Sequence, residues 1–212
     1  NDRKLFKQLE SADTKLLIKQ KILPWWIMKL PFLVKGQTVW VSLKGRLMRG
    51  WIIQQIIKLA VATHITEDVL VYMDSDEFFV KKTSFDDLFF QRGKLRLYKN
   101  DGGCDLKWAK TVAEILSMNV LDCSRHSFVG HPVTWNRKNV IDLLDLIEKK
   151  YSAKWVDVLI KYWDFSEYQL YGCYMLAHGK TEDNFYETSK ELSHQLFWKD
   201  GHRPNPLTKR GC

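Results

Sequence analysis

Apolar residues fall in runs that are long enough for buried helices and strands along most of this chain. The segment from Trp51 to Thr63 is apolar on almost all sides, which predicts a helix buried against a sheet. The short run Val69-Leu70-Val71 follows it and predicts a buried strand. Apolar residues from Lys138 to Lys150 recur at helical spacing, with acids and lysines on the other side, and predict an amphipathic helix.

Shorter elements are predicted elsewhere from alternation and capping residues. Alternating apolar residues predict a strand from Lys94 to Tyr98, and Ser84 is placed to cap a short helix over residues 85–90. Further helices are predicted over residues 106–118, 154–161 and 166–176.

Prolines and glycines interrupt the pattern near the start of the chain. Residues 24–45 contain Pro24, Pro31 and Gly36 and are interpreted as loop with short elements. Gly45 and Gly50 bracket residues 46–49, which are interpreted as a mobile basic loop.

The order of these elements predicts the fold class. Alternating helices and strands are typical of an α/β layer structure with a mostly parallel sheet flanked by helices. The chain, 212 residues long, can bury one sizeable core, so a single domain over residues 1–198 is predicted. Residues 199–212 contain Pro204 and Pro206 among basic residues and are predicted to form a flexible tail.

The hexapeptide Tyr72-Met73-Asp74-Ser75-Asp76-Glu77 places carboxylates at the carboxyl end of the predicted strand. In open α/β sheets, ligands bind at that end. Asp74 and Asp76 share one face of the extended chain because successive strand side chains point to opposite faces. Two carboxylates suit Mn²⁺ or Mg²⁺ and therefore a diphosphate, although acids at a strand end also serve simply to cap a turn.

The chain carries a net charge of +8. A basic surface attracts nucleotides, nucleic acids or acidic lipid headgroups, and charge alone does not choose among them. No apolar stretch approaches the roughly 20 residues that a membrane span needs.

Several motifs resemble a known family. The pattern Arg-Gly-Trp-x-x-Gln-Gln-x-x-Lys-Leu over residues 49–59 and the acidic strand end resemble nucleotide-sugar glycosyltransferases of the GT-A fold. More narrowly, they resemble a poorly characterised bacterial glycosyltransferase-like family (DUF6492-like). Thr-Trp-Asn-Arg at residues 134–137 and Phe-Ser-Glu-Tyr-Gln-Leu-Tyr-Gly at residues 165–172 add to the resemblance, which covers roughly residues 2–198.

The resemblance implies a GT-A-like, Rossmann-related fold and the transfer of a sugar from a nucleotide-diphosphate donor to an acceptor hydroxyl. The glycan product would belong to bacterial surface polysaccharide synthesis. The setting would be the cytoplasm, with peripheral contact at the inner membrane and no nucleic-acid partner. A GT-A domain starts with strands that cradle the nucleoside. This chain is expected to begin after them and to lack the first strands.

The resemblance also implies roles for individual residues. Asp74 and Asp76 would hold Mn²⁺ or Mg²⁺ between the two phosphates of the donor, with His194 as a third ligand. Since Arg suits bidentate phosphate recognition and Lys provides a point charge, the side chains predicted to bind the donor, besides Asp74, are Arg46, Arg49, Gln54, Gln55 and Lys58. Gln54 and Lys58 are four residues apart and would share one helix face.

Two carboxylates are candidates for the base that an inverting transferase needs, namely Glu167 and Asp164. An acid in the first turn of a helix can equally serve only to stabilise the helix N-terminus. In a retaining enzyme, Glu167 would instead bind the acceptor. The predicted acceptor-binding residues are His131, Trp135, Tyr168 and Tyr171.

Two other functions compete with a transferase. One is a non-catalytic glycan- or nucleotide-binding module, in effect a degenerate transferase. The other is a haloacid-dehalogenase-type phosphatase, which also places two acids after a buried strand. Phosphatases of that type continue with Gly and Thr, whereas Glu77-Phe78-Phe79 stand here. Nucleotide binding that depends on a metal would distinguish a transferase from a glycan-only module.

Overall fold

The computed structural model divides the chain into two compact units. It describes residues 6–8, 10–12, 14–34, 37–74, 77–78, 84–130, 132–179, 184–190, 192 and 194–195. The first unit combines residues 1–66 with residues 144–167, and the second combines residues 67–143 with residues 168–212. The predicted tail over residues 199–212 lies outside the described part of the chain.

The first unit is built on a three-stranded antiparallel sheet, in the order β1-β2-β3. Its strands are β1 (Ile27–Val34), β2 (Gln37–Ser42) and β3 (Arg46–Arg49). The helices α1 (Lys19–Ile22) and α2 (Gly50–Val61) flank these strands in sequence. Later in the chain, the unit also includes α7 (Trp155–Leu159).

The loop interpretation of residues 24–45 and of residues 46–49 is wrong for residues 27–34, 37–42 and 46–49, which form the sheet just described. Pro31 lies within β1, which pairs only with β2 among the described strands and is an edge strand of this sheet. The register shifts between Lys29 and Leu33, so the ladder is irregular where proline offers no N–H. Proline is tolerated in edge strands and at bulges for that reason. The predicted basic loop, residues 46–49, pairs with β2 from Ser42↔Arg46 to Val39↔Arg49.

The second unit contains the remaining strands and most of the helices. Its strands are β4 (Val69–Tyr72), β5 (Glu77–Phe78), β6 (Phe90–Gln91), β7 (Lys94–Tyr98), β8 (Val133–Asn136), β9 (Phe185–Thr188) and β10 (His194–Gln195). Its helices are α3 (Phe85–Phe89), α4 (Leu106–Leu116) and α5 (Val120–Arg125). The chain passes between the units within α6 (Arg137–Tyr151) and at the start of α8 (Glu167–Ala177).

Most strand pairs of the second unit are also antiparallel. β4 pairs with β8, β5 with β10 and β6 with β7 in antiparallel register, whereas β7 and β9 pair in parallel. The mixture of helices and strands predicted from the sequence is confirmed. The mostly parallel sheet is wrong for the strands that the structure describes, because an apolar run predicts a strand but not the direction of its partner.

The predicted elements with strong periodicity are confirmed. The helix predicted from Trp51 is α2, the strand predicted from Lys94 is β7, and the amphipathic helix predicted from Lys138 is α6. Ser84 caps α3, since its hydroxyl oxygen accepts from the backbone N–H of Asp87 at 3.1 Å. No helix among the described residues is long and apolar enough to cross a membrane.

Two residues of α8 pack closely against other segments of the second unit. Gln169 is fully buried, and its amide nitrogen donates to the carbonyl oxygens of Cys123 and His126 at 2.8 Å each. Gly172 faces the ring of Phe128, and a Cβ at this position would lie 2.0 Å from Phe128 Cγ. Only a glycine lets the helix and the ring approach this closely.

Gly172→Ala should destabilise the protein by about 2 kcal/mol, because the added methyl group overpacks the contact with Phe128. The change is measured by urea denaturation followed by circular dichroism. Gly50→Ala is the matched control, since its Cβ would lie 3.6 Å from the carbonyl oxygen of Thr38, an ordinary contact. Equal stability of the two variants would contradict the close packing at Gly172.

Candidate functional site

The predicted metal-binding acids follow β4 in the second unit. The ring of Tyr72, the last residue of β4, lies 4.6 Å from the ring of Trp135 and 6.4 Å from that of Tyr168. Beyond Tyr72, the chain emerges from this packing, and Asp74 is exposed. Asp76 lies outside the described residues. The aromatic contacts therefore fix the end of β4 and present Asp74 to solvent.

The chain pairs with a late strand directly after the acids. In the antiparallel pair of β5 and β10, His194 is opposite Phe78 and Gln195 is opposite Glu77. Phe78 stands two residues after Asp76 in the sequence. The backbone of His194 therefore lies beside the strand that follows the acids in sequence, although it stands 116 positions after Phe78.

Arg96 helps to hold the segments that lead into β8 and β10. Its guanidinium is fully buried and donates to the carbonyl oxygens of Pro132, at 2.5 Å, and Lys190. The hydroxyl of Thr134 donates to the carbonyl oxygen of Arg96. Since Lys190 stands four residues before His194, Arg96 anchors the chain shortly before it reaches the strand end.

The described residues do not complete a metal site. Among them, no three or more His, Cys, Asp or Glu side chains are grouped to hold a metal ion. Asp76 and the side chain of His194 lie outside that part of the chain, so the predicted ligand set stays a prediction. Its chemistry fits Mn²⁺ or Mg²⁺, because carboxylate oxygens are preferred ligands of both and imidazole suits transition metals.

The aromatic residues predicted to bind an acceptor are part of the core. Trp135, Tyr168 and Tyr171 are buried, and the ring of Trp135 stacks on that of Tyr171 at 5.1 Å. The Tyr171 hydroxyl accepts from the backbone N–H of Asn136 at 3.0 Å, and burial raises the pKa of this phenol above its usual range. These contacts give the three side chains a packing role. Their contact with an acceptor stays a prediction, and His131 lies outside the described residues.

A buried ionic network lies in the first unit, on one face of α2. Lys58 Nζ lies 3.1 Å from Glu167 Oε1, and only 1% of Glu167 is exposed. The Gln55 amide, oriented to satisfy its neighbours, donates to the Glu167 carboxylate through its nitrogen. Its oxygen accepts from the indole N–H of Trp51 at 3.0 Å. Such an orientation is assigned from the hydrogen-bond network.

The spacing along α2 explains which side chains join this network. Trp51, Gln55 and Lys58 stand four and three residues apart and therefore lie on one helix face. Gln54, predicted to share a face with Lys58, is exposed instead. The sequence interpretation missed Trp51, although its position four residues before Gln55 was a usable signal.

A second ion pair lies at the start of α2. Arg49 Nη2 donates to the carboxylate of Asp164 and, at 2.8 Å, to the carbonyl oxygen of Trp163. The guanidinium carbon lies 5.5 Å from the ring of Trp51 and 5.2 Å from that of Trp163, which are cation–π distances. The buried Nε of Arg49 has no hydrogen-bond partner among the described residues. Arg46, also predicted to bind the donor, is exposed on β3.

The two predicted bases differ in access. Glu167 is enclosed, and its carboxylate accepts from both Lys58 and Gln55. The side chain of Asp164 keeps 32% of its surface exposed. In this arrangement, Glu167 orders α2 and the start of α8, whereas Asp164 is the carboxylate that a solute can reach.

Lys58→Met should cost about 3 kcal/mol of stability, because it leaves the enclosed Glu167 carboxylate without its counter-ion. Glu167→Gln should cost only about 1 kcal/mol, because Lys58 is partly exposed and can turn toward water. Urea denaturation of both single variants and the double variant measures the asymmetry and the coupling of the pair. Equal losses of stability in the two single variants would contradict the predicted asymmetry of the pair.

Comparisons with known proteins give a family but no activity. No curated protein and no solved structure matches the chain. One family model does match, and it covers residues 3–201. The chain therefore belongs to the family of unknown function DUF6492.

Proposed function

We propose that this chain is a metal-dependent glycosyltransferase that moves a sugar from a nucleotide-diphosphate donor to an acceptor hydroxyl. Its products would belong to bacterial surface polysaccharide or glycan synthesis, at the cytoplasmic face of the inner membrane. Family membership adds no activity to this proposal, and the strand pairs that the structure describes are mostly antiparallel and supply no GT-A sheet. The support comes from the strand end in the second unit and from the sequence motifs.

The observation that carries the proposal is the pairing of β5 with β10. It brings the backbone of His194 beside Phe78, directly after the Asp-Ser-Asp segment. His194 is the residue that the sequence resemblance implies as a third metal ligand. The pairing thus places a residue of a metal-binding type next to the strand that follows the acids, which supports the proposal.

The residues around the strand end have separable tasks in this proposal. Asp74, Asp76 and His194 would hold Mn²⁺ or Mg²⁺, and the bound cation would neutralise charge on the departing diphosphate. Tyr72, Trp135 and Tyr168 keep the end of β4 in one position. Arg96 keeps the approach to β10 in place. The ligands therefore depend on a buried scaffold for their geometry.

Asp164 is the better of the two predicted bases, because a base must reach the proton that it removes. Glu167 is enclosed by Lys58 and Gln55 and acts as a positioning residue in this proposal. Arg49 pairs with Asp164 and thereby holds this carboxylate in one position.

The enclosed state of Glu167 also favours a second candidate, a binding module that has lost catalysis. A transferase whose base is Glu167 would need that carboxylate open to acceptor. If Asp164→Asn keeps nucleotide binding and turnover, the chain has another base or uses a retaining mechanism. Metal-dependent nucleotide binding without hydrolysis or transfer, tested over a panel of sugars, would support the binding module.

The metal–diphosphate site is tested by calorimetric titration with UDP, GDP and CDP, each with and without Mn²⁺. We expect one nucleotide to bind in the presence of Mn²⁺ and at least tenfold more weakly in its absence, because the cation bridges protein and phosphates. The double variant Asp74→Ala/Asp76→Ala should lose this binding.

The matched control, Asp86→Ala/Asp122→Ala, removes two exposed carboxylates from the same unit and should bind normally. Nucleotide binding that is equally tight without Mn²⁺, or that persists in the Asp74→Ala/Asp76→Ala variant, would reject the proposed site. Absence of binding to all three nucleotides would reject a donor site in this chain.

His194→Ala should weaken Mn²⁺ binding about tenfold or more, because it removes a direct ligand. Electron paramagnetic resonance of free Mn²⁺ measures the affinity without any nucleotide. His178→Ala, at an exposed position of the same unit, is the control. Unchanged affinity in His194→Ala would show that the β5–β10 pairing does not serve a metal.

A further inference from the structure

Three of the four cysteines of this chain lie close together in the second unit. Cys104, Cys123 and Cys173 are all free thiols, and both Cys123 and Cys173 are buried. Cys123 lies in α5, and Cys173 lies in α8, 50 positions later in the sequence. The fold therefore gathers thiols from distant parts of the sequence, where no Cys-x-x-Cys spacing indicates them.

The side chains of this cluster meet at the backbone carbonyl group of Cys123. The thiol of Cys104 donates to the carbonyl oxygen at 3.4 Å, and Cys173 Sγ lies 3.9 Å from the same oxygen. The amide nitrogen of Gln169 donates to this oxygen at 2.8 Å and lies 3.5 Å from Cys173 Sγ. Because Gln169 and Cys173 are four residues apart in α8, they share one helix face. Gln169 thereby holds Cys173 against α5.

The thiols of Cys123 and Cys173 also contact each other. The hydrogen bond that they share lowers the pKa of Cys123 below its usual range. The same hydrogen bond, and then burial, raises the pKa of Cys173. Burial raises the pKa of Cys104 to about 11. Since the thiolate is the reactive form of cysteine, Cys123 is the most nucleophilic of the three, and Cys173 is the thiol bonded to it.

A cavity of about 210 Å³ gives small molecules access to this pair. It is lined by Cys173 and by Met118, whose sulfur lies 4.0 Å from Cys123 Sγ. Asp122 and Arg125 also line the cavity and are exposed, so it is open to solvent. A water molecule takes about 30 Å³ of liquid volume, so the cavity has room for several molecules as small as hydrogen peroxide.

We propose that Cys123 and Cys173 form a redox-sensitive pair, which a peroxide converts into a disulfide between α5 and α8. The inference does not depend on the proposed transferase activity. In a reducing compartment the thiols would persist, and the disulfide would form only under oxidation. Thiol reductants would restore the pair.

The oxidation has two steps. The Cys123 thiolate attacks one oxygen of hydrogen peroxide and the O–O bond breaks, which leaves a sulfenic acid on Cys123 and releases hydroxide. The hydroxide takes up the proton that Cys123 lost, and one water is formed. The Cys173 sulfur then attacks the sulfenic sulfur, the S–O bond breaks, and the hydroxyl group leaves with the Cys173 proton as a second water. Two thiols thus lose two electrons, and the peroxide gains them.

The test is peptide mapping of the whole chain after exposure to hydrogen peroxide and alkylation of the remaining thiols. Trypsin places each cysteine in a peptide of its own, over residues 100–107, 111–125, 162–180 and 211–212. We expect mass spectrometry to show the peptides of Cys123 and Cys173 joined, two hydrogen atoms lighter than their sum, and separated again by dithiothreitol. Free thiols at both positions after oxidation, or a bond from Cys123 to Cys104, would overturn the proposal.

Single variants test the order of the two steps. In Cys173→Ala, the sulfenic acid on Cys123 has no thiol to attack it, so dimedone should trap it. In Cys123→Ala, Cys173 should stay reduced, because burial keeps its pKa raised. The matched control, Cys104→Ser, should form the disulfide as readily as the parent. Loss of the disulfide in the control, or dimedone on Cys173 in Cys123→Ala, would contradict the assigned roles.

The disulfide should raise the midpoint of thermal unfolding by about 10 °C, because closing a loop of about 50 residues restricts the unfolded chain. Circular dichroism of the oxidised and reduced protein measures this shift. Peroxide should shift Cys104→Ser equally and should not raise the midpoint of Cys173→Ala. An unchanged or lowered midpoint in the oxidised parent would show that α5 and α8 must distort to form the bond. The fold would then not present a pair that is ready to react.

Discussion

The buried carboxylate of Glu167 constrains the first unit more than any other group. An enclosed charge must be paired, since burying it alone costs several kcal/mol. Lys58 and Gln55 satisfy this requirement from one face of α2, and Trp51 in turn holds the Gln55 amide. The rotation of α2 about its axis is thereby set, because only one helix face can offer all three side chains. Because the strand β3 leads directly into α2, the position of α2 also restricts where β3 and its sheet can lie.

This constraint changes what the most distinctive sequence motif means. The run Ser-Glu-Tyr-Gln-Leu-Tyr-Gly supplies buried contacts at nearly every position. Glu167 pairs with Lys58, Gln169 holds two carbonyl groups, Tyr171 stacks on Trp135, and Gly172 admits the ring of Phe128. A specific motif can therefore be required by packing alone. The candidate chemistry of this chain lies instead in the common Asp-Ser-Asp element, which precedes β5, the strand that pairs with β10.

The sequence predicts local structure here better than it predicts strand partners. The helices α2 and α6 and the strand β7 follow from periodicity, which depends only on neighbouring residues. The sheet β1-β2-β3 was missed because Pro31 and Gly36 indicate loops unless the strand is known to be an edge. The direction of β4 against β8 depends on residues more than 60 positions away, which no local pattern records. In the site, the Lys58–Glu167 pair joins two predicted residues, but nothing in the sequence shows that they neutralise each other.

The absence of Asp and Glu from residues 14–66 determines how the charge of this stretch responds to the medium. Between Thr14 and Thr66, the chain contains no Asp, Glu, Cys or Tyr, and His64 is its one histidine. Lys and Arg keep their charge throughout the range of acidity in which proteins are folded. The electrostatic character of this stretch is therefore nearly constant with acidity, while its range contracts as the ionic strength rises. A rise in the salinity of the medium would therefore weaken the attraction between this stretch and an external anion, whereas a change in acidity would act mainly through the anion itself.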